Sequence, residues 1–282
     1  MTKDYHMHST FSVDGHDPPE LLCERALALG YTEIAITEHA EWHDDDGFAN
    51  VEAYLEAINA CRKVYGPLGL KIHTGVELGN PHDYSKETAC LLGCYPLDIT
   101  IGSLHWLNGK NIHLAECFHG RDPNDVYADY FTELACMSAL ADFDIVGHFD
   151  RILWRGAKLG FHFDPYKLET IVLYALSTII KRNQILELNS GRLNHTPGWT
   201  DALITMLRWY REMGGQKIMI NSDAHRKEDV GRNNRLARDI LEAAGFAAKD
   251  GESIVASNGA RFMHAPQNRS KELMASTLIS NC

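Results

Sequence analysis

The chain has 282 residues, 45% of them hydrophobic, which is enough for one barrel-sized domain with a full core. It has no run of about 18 apolar residues and no charged-then-apolar leader, so we expect no membrane span and a soluble, cytoplasmic protein. The seven cysteines form no CxxC pair, and their odd count predicts reduced thiols, with Cys90 and Cys94 buried. A net charge of −11 and a pI near 5.7 argue against a large nucleic-acid surface.

The first candidate element carries two histidines two positions apart. A strand alternates its faces, so if residues 3–8 form a strand, His6 and His8 project from one side and can hold one cation. A lone His-x-His is weak evidence, but six later apolar runs also end at polar residues, most of them potential metal ligands. The runs are 33–37 before Glu38 and His39, 70–76 before Glu77, 98–104 before His105, 143–147 before His148, 185–188 before Asn189 to Arg192, and 217–222 before Asp223 and His225.

Helical patterns separate these runs. Pro18 and Pro19 open a helical stretch that ends at Gly30, with proline at its start and glycine after its end. Seven strand candidates and at least six helices predict one α/β domain over residues 1–282, a closed or nearly closed (β/α) barrel. In such barrels the active site lies at the C-terminal ends of the strands. The predicted helices are 20–29, 51–65, 125–140, 165–182, 199–213 and 232–244, and a short strand (253–256) lies in a peripheral tail predicted from about residue 252.

Seven short motifs along the chain contain histidine, an acid or both. In order, spacing and residue type they resemble the PHP (polymerase and histidinol phosphatase) family, most closely its histidinol-phosphatase branch, from residue 6 to about residue 231. The resemblance implies a distorted (β/α)7, TIM-like barrel, in agreement with the strand count, and a trinuclear metal centre that hydrolyses phosphate esters. The motifs are His6-Met7-His8, Asp14, Thr37-Glu38-His39, Gly75-Val76-Glu77, Gly102-Ser103-Leu104-His105, Gly147-His148-Phe149-Asp150 and Ser222-Asp223-Ala224-His225.

The resemblance also implies how nine side chains share three metals. Six imidazoles and three carboxylates suit Zn²⁺, Mn²⁺ or Fe²⁺ better than Ca²⁺ or Mg²⁺. Three of the nine, Glu77, Asp223 and His225, are expected to be catalytic as well. The first metal would take His6, His8, Glu77 and Asp223, the second Glu77, His105 and His148, and the third Asp14, His39 and His225.

Each of these positions also has a simpler interpretation. A histidine at the end of an apolar run is more often a hydrogen-bonded structural residue than a ligand, and only the family order of the nine changes that expectation. The other nine histidines, among them His82 and His113, are expected to be structural or surface residues. The acidic stretch from Glu41 to Asp46 is expected to be a solvated loop, although it and Glu116 could face a cationic amine of the substrate.

The phosphate group of a substrate also needs cations from the protein. Clustered metals activate a bridging water for in-line attack on phosphorus, so no protein nucleophile is required. By resemblance, Arg192 stands where the branch carries a phosphate-binding arginine, and Arg155 is the second candidate, with Arg151 as its competitor. The chain departs from the family's Gly-His-x-Asp-x-x-Arg-Arg pattern, because Leu153 and Trp154 stand where basic residues are expected.

Three functions remain open on the sequence. The favoured one is a phosphomonoesterase that acts on a small phosphate ester, with histidinol phosphate as the preferred substrate. The second is a PHP-family phosphodiesterase or nuclease that acts on nucleotides or nucleic-acid ends. The third is a non-catalytic scaffold, which would be expected to lose ligands. Neither a membrane nor an extended nucleic acid is expected as a partner, and the oligomeric state is left open.

Overall fold

The computed structural model describes residues 2–43, 48, 50–193 and 198–247. Most of the strands in this part of the chain follow the predicted apolar runs, and two very short ones form a hairpin. No helix among the described residues is long and apolar enough to cross a membrane. The strands are β1 (Thr2–Asp4), β2 (Tyr31–Ala40), β3 (Lys71–Gly79), β4 (Ile99–Ser103), β5 (Trp106–Leu107), β6 (Lys110–Asn111), β7 (Ile145–Val146), β8 (Ile185–Asn189) and β9 (Ile218–Asn221).

Seven of these strands form one parallel sheet in the order β1-β2-β3-β4-β7-β8-β9, and β5 pairs with β6 in a separate antiparallel hairpin. The two ends of the sheet approach each other, because Met7 bridges Ala224 in parallel. The backbone N–H of Tyr5 also donates to the Asn221 side chain at 2.8 Å. The predicted, nearly closed seven-stranded barrel is therefore confirmed.

Helices connect consecutive strands, as right-handed βαβ crossovers require. The six predicted helices are all present within a few residues of their predicted ends, while α3 and α5 were not predicted. The helices are α1 (Pro19–Ala28), α2 (Val51–Tyr65), α3 (Ser85–Cys94), α4 (Pro123–Leu140), α5 (Arg151–Lys158), α6 (Glu169–Lys181), α7 (Trp199–Glu212) and α8 (Asn234–Ala243).

Two expectations about individual segments need correction. The regular part of β1 ends at Asp4, so His6 and His8 lie in the extended segment beyond it rather than within the strand. Cys90 and Cys94 are exposed free thiols on α3 instead of buried ones, because this short helix buries only Thr88. The predicted strand 253–256 and the tail from residue 252 lie outside the described residues.

A small apolar cluster fills the inside of the barrel below its C-terminal rim. It includes Ala35 on β2, Ile101 on β4 and Ile185 on β8, and it is separate from the larger clusters that pack the sheet against the helices. Residues two apart on a strand share a face, so Ser103 and Glu187 point into the barrel directly above Ile101 and Ile185. Packing at the bottom of the barrel therefore positions the polar side chains at the top.

Candidate metal centre

Glu77, near the end of β3, lies at the middle of the polar cluster. Its side chain is 1% exposed, and both of its oxygens face imidazole nitrogens. The Ser103 hydroxyl donates to Oε1 at 2.6 Å. Burial alone would raise the pKa of Glu77, but His6, His105 and His39 hold it well below its usual value. The contacts are His6 Nε2 3.2 Å, His105 Nε2 3.4 Å and His148 Nε2 2.9 Å from Oε1, and His8 Nε2 3.3 Å and His39 Nδ1 2.9 Å from Oε2.

The two aspartates of the predicted ligand set lie on either side of this carboxylate. Asp223 Oδ1 is 3.6 Å from His6 Nε2 and 3.4 Å from His8 Nε2. Asp14 lies 3.3 Å from His39 Nε2 and 3.1 Å from His225 Nε2. The structure therefore brings all nine predicted ligands into one cluster, with Asp14 at its exposed edge.

Two of the nine residues have an unusual backbone. Asp223 adopts a left-handed conformation with φ of 51°, and His148 has φ of 20°. A non-glycine residue in such a conformation costs roughly 1–3 kcal/mol and persists only where its surroundings impose it. The backbone is therefore bent at the points where these two side chains turn into the cluster.

Several buried nitrogens and oxygens in the cluster lie close to one another but are not aligned for a hydrogen bond with any described residue. They include Nε2 of His6 and of His8, Nδ1 of His39 and Oε2 of Glu77, with nitrogen–oxygen distances of 2.9–3.3 Å. Buried polar atoms without aligned hydrogen bonds are uncommon, yet here four of them converge. Overlapping sets of three donors lie within 4.8 Å of one another, as in His6, His8 and Glu77. This donor set fits divalent metal ions of the zinc, manganese and iron type.

A second row of carboxylates orients the imidazoles. Glu187 is fully buried and accepts from His6 Nδ1 at 2.8 Å and from the His148 backbone N–H at 2.5 Å. Glu41 accepts from His105 Nδ1, which corrects the expectation that Glu41 belongs to a solvated loop. A carboxylate on one ring nitrogen fixes the tautomer and directs the other nitrogen towards a metal.

The close approach of Glu41 depends on a glycine. A side chain at Gly79 would place its Cβ 2.1 Å from the Glu41 carboxylate, so any other residue there would displace Glu41 from this position. Neither Glu187 nor Glu41 was assigned a role in the metal centre from the sequence. The signal that was available for Glu187 is an acid at an inward-facing position of an otherwise apolar strand.

Three arginines surround the ring of Trp154, and one of them lies beside Asp223. Arg151 Nη1 is 3.7 Å from Asp223 Oδ2, whereas the guanidinium of Arg155 donates to the His113 backbone carbonyl. Arg192 forms no ion pair within the described part of the chain, and burial together with the charge of Arg151 lowers its pKa to about 10. Arg151 and Arg155 were the two candidates for phosphate binding after the His148 strand, and of these Arg151 is the one that reaches a predicted metal ligand, Asp223.

His113 also lies in the site, although the sequence placed it among structural histidines. The β5–β6 hairpin carries it to within 5.5 Å of the His105 ring, centroid to centroid. Its Nε2 accepts from Arg151 Nε at 2.9 Å. Burial and the charge of Arg151 hold the pKa of His113 well below its usual value, so the ring is a neutral acceptor.

Known proteins resemble this chain in both sequence and fold. A probable histidinol-phosphatase of Clostridium acetobutylicum is 26% identical over 86% of this chain and 93% of its own length. A histidinol-phosphatase of Lactococcus lactis is 25% identical over 86% and 91%. A crystal structure of the Lactococcus lactis histidinol phosphate phosphatase, complexed with zinc, L-histidinol and phosphate, has a TM-score of 0.78 at 22% identity and covers 87% of this chain and 94% of its own.

The family comparison agrees with the motifs and with the barrel. The model of the PHP domain matches residues 4–191, which is well over half of the chain. The matched segment contains seven of the nine clustered side chains, and Asp223 and His225 follow it on the loop after β9. The chain belongs to the PHP domain family.

Proposed function

We propose that this protein is a metal-dependent phosphomonoesterase and that histidinol phosphate is its preferred substrate. The observation that carries the proposal is the Glu77 carboxylate, with imidazoles on both oxygens, next to an arginine cluster with few acidic partners. Clustered metals and fixed cations together suit a dianionic phosphate. The histidinol-phosphatase names of the Clostridium and Lactococcus relatives support the choice of substrate.

The nine side chains divide into three metal sites in this proposal. Glu77 would be shared by the first two sites, in keeping with imidazoles on each of its oxygens. The third site is centred on Asp14, which faces His39 and His225. The full assignment is His6, His8, Glu77 and Asp223 for the first ion, Glu77, His105 and His148 for the second, and Asp14, His39 and His225 for the third.

Bound divalent ions would supply an activated water and would neutralise charge on the phosphoryl oxygens. Two serine hydroxyls near the cluster already donate to carboxylates, Ser103 to Glu77 at 2.6 Å and Ser9 to Glu38 at 2.5 Å. They are therefore poorly placed to act as nucleophiles. Glu187 and Glu41 keep the imidazoles oriented, and Glu77, Asp223 and His225 are the ligands to which we assign catalytic roles.

The substrate would lie between the metals and the arginines. Arg192 is the first candidate for the phosphate, because it is partly desolvated and forms no close ion pair among the described residues. Arg155 remains a candidate at the outer side of the same cluster. The cationic amine of the substrate needs an acidic partner. Glu41 is already engaged by His105, so the exposed Glu116 is the remaining candidate. Residues 44–46 lie outside the described residues.

The proposal is tested by phosphate release from four compounds. Metal-loaded protein is incubated with histidinol phosphate, a nucleoside monophosphate, a phosphodiester and a single-stranded oligonucleotide. We expect the highest kcat/KM for histidinol phosphate, and a Glu77→Gln preparation controls for contaminating phosphatases. Preference for the diester or the oligonucleotide would favour a PHP phosphodiesterase or nuclease. Turnover of none of the four by the metal-loaded protein would favour a non-catalytic scaffold.

A further inference from the structure

Trp154 on α5 lies among four cationic side chains. The guanidinium carbons of Arg192, Arg155 and Arg151 are 4.5, 4.9 and 5.7 Å from its ring centroid, and the Lys158 ammonium is 6.0 Å away. Each of these distances is within the range in which a cation is attracted to an aromatic face. One indole ring therefore lies within reach of all three arginines that the sequence analysis named as candidates for phosphate binding.

The geometry of α5 explains why three of these cations meet the ring. Trp154 lies three residues after Arg151 and four before Lys158, so these three side chains share one face of the helix. Arg155 follows Trp154 directly and borders that face, four residues after Arg151. Arg192 reaches the same ring from the loop that follows β8. The arrangement thus combines a helix face with one residue from a different crossover of the barrel.

The cluster is held mainly by neutral groups. Arg151 donates to the His113 ring, and Arg155 donates to the His113 backbone carbonyl. Among the described residues, the acid that forms an ion pair with one of these arginines is Asp223, which lies 3.7 Å from Arg151 and belongs to the proposed metal centre. A carboxylate partner would occupy guanidinium N–H groups, whereas an aromatic face attracts the cation and leaves those donors free.

We propose that Trp154 is a positioning residue that holds Arg151, Arg155 and Arg192 together as one phosphate-binding surface. This inference rests on the proposed phosphomonoesterase function. It adds a reason why the site would select a doubly charged phosphate group over a singly charged one. A phosphomonoester carries a charge near −2 above its second pKa of about 6, whereas a diester carries one charge. Three clustered guanidinium groups with free donors favour the monoester.

The test compares Trp154→Leu, which removes the ring, with Trp154→Phe, which keeps an aromatic face. Trp209→Leu is the matched control, because Trp209 is also partly buried against the large core cluster, but its ring contacts Tyr166, whereas the three arginines contact Trp154. The readouts are KM and kcat for p-nitrophenyl phosphate, the Ki of inorganic phosphate, KM for bis(p-nitrophenyl) phosphate, and metal content.

We expect Trp154→Leu to raise KM and the phosphate Ki by roughly ten-fold, which corresponds to the loss of about one desolvated cation–π contact. The kcat value, the metal content and KM for the diester should stay close to those of the wild type. Trp154→Phe should recover most of the loss, and Trp209→Leu should behave like the wild type. If Trp154→Leu does not fold, Trp154→Met provides an apolar replacement without a ring.

Three results would overturn the inference: an unchanged KM and Ki without the ring, an equal loss in Trp209→Leu, or a Phe variant no better than Leu. Failure of the proposed function looks different. In that case the metal-loaded wild type would hydrolyse no phosphomonoester. Calorimetry of inorganic phosphate binding to the wild type and to Trp154→Leu would then still decide whether the indole organises an anion-binding surface.

Discussion

Among the residues that the structure describes, two groups of histidines and acids have donor atoms close enough together to hold a metal ion. One is the central cluster around Glu77, and the other, which we call the outer group, consists of His82, Asp83 and Glu133. In the outer group, His82 Nε2 is 2.6 Å from Glu133 and 3.9 Å from Asp83. The Glu133 and Asp83 side chains are 33% and 52% exposed, whereas that of Glu77 is 1% exposed.

The difference shows that short distances alone do not define a metal centre. In the outer group a single imidazole pairs through Nε2 with a carboxylate that water also solvates, so this contact needs no ion, although Nδ1 of His82 has no hydrogen-bond partner among the described residues. Glu77 instead faces five imidazoles away from water, and several of the facing atoms are not aligned for hydrogen bonds among the described residues. Because many ligand atoms converge on one buried carboxylate only at the centre, we expect metal binding at the central cluster only.

The largest effect is expected for Glu77→Gln, compared with Glu133→Gln in the outer group. Loss of the shared carboxylate should disturb two metal sites together. Activity should then fall by more than the roughly 10–100-fold typical of changes to an outer partner of a ligand. Glu133→Gln should keep wild-type activity and metal content. Near wild-type turnover by Glu77→Gln in steady-state kinetics would show that the bridging assignment is wrong.

The next largest effect is expected within the central cluster itself. Asp14→Asn, His39→Ala and His225→Ala should each lose the same one ion, because all three residues are assigned to one site. The fold should survive in each, since the barrel core supplies most of the burial. Metal analysis and circular dichroism of the three variants check this. A variant that retained the full metal content would remove its residue from the group.

A smaller effect is expected for Glu187→Gln. The neutral amide would orient His6 less strongly, and metal affinity should weaken by roughly 10–100-fold. Competition with a fluorescent chelator measures the affinity, and Asp83→Asn serves as the control in the outer group. Equal affinity in Glu187→Gln and the wild type would mean that this buried acid supports the fold and not the metal.

The sequence predicted the barrel strands well because apolar runs with helical patterns between them are local signals. Three of the segments it missed are short: α5 has eight residues and β5 and β6 have two each, too few for a periodic pattern. The fourth, α3, has ten residues but buries only Thr88, so it has no buried apolar face to recognise. The nine clustered side chains were identified differently, from the order of short motifs that resemble those of the PHP family. His113 could not be identified, because its place beside Arg151 depends on how the hairpin folds back over the barrel.

Proton release on metal binding provides a further contrast between the two regions. Burial alone would lower the pKa of His6 and His39, but nearby carboxylates hold both pKa values well above the usual one. These are Glu187 and Glu77 for His6, and Glu77 and Asp14 for His39. Without metal both imidazoles are therefore protonated at neutral pH, and each must lose its proton to become a ligand. Metal affinity should fall as the pH falls below these raised pKa values.

Calorimetry of Zn²⁺ binding in two buffers with different heats of ionisation measures the released protons. His82→Ala should release as many protons as the wild type, since the outer group takes no part. Heats that do not depend on the buffer would show that no proton leaves the central cluster.

The smallest effect is expected for Arg192→Ala, which changes the cationic side of the centre and none of its ligands. KM for a phosphomonoester should rise by roughly ten-fold, as expected for a lost charged hydrogen bond of about 1.5–3 kcal/mol. Metal content should not change. Arg208→Ala, on the outer side of α7, is the control. An unchanged KM would mean that Arg192 does not bind the phosphate.

The central claim is that ions bind around Glu77 and nowhere in the outer group. Elemental analysis of gently purified wild-type protein, Glu77→Gln and His82→Ala tests it directly, together with phosphate release before and after chelation. We predict up to three zinc, manganese or iron ions per chain in the wild type and in His82→Ala, fewer in Glu77→Gln, and loss of activity on chelation. A wild-type protein that contains none of these metals and is not activated by them would contradict the account.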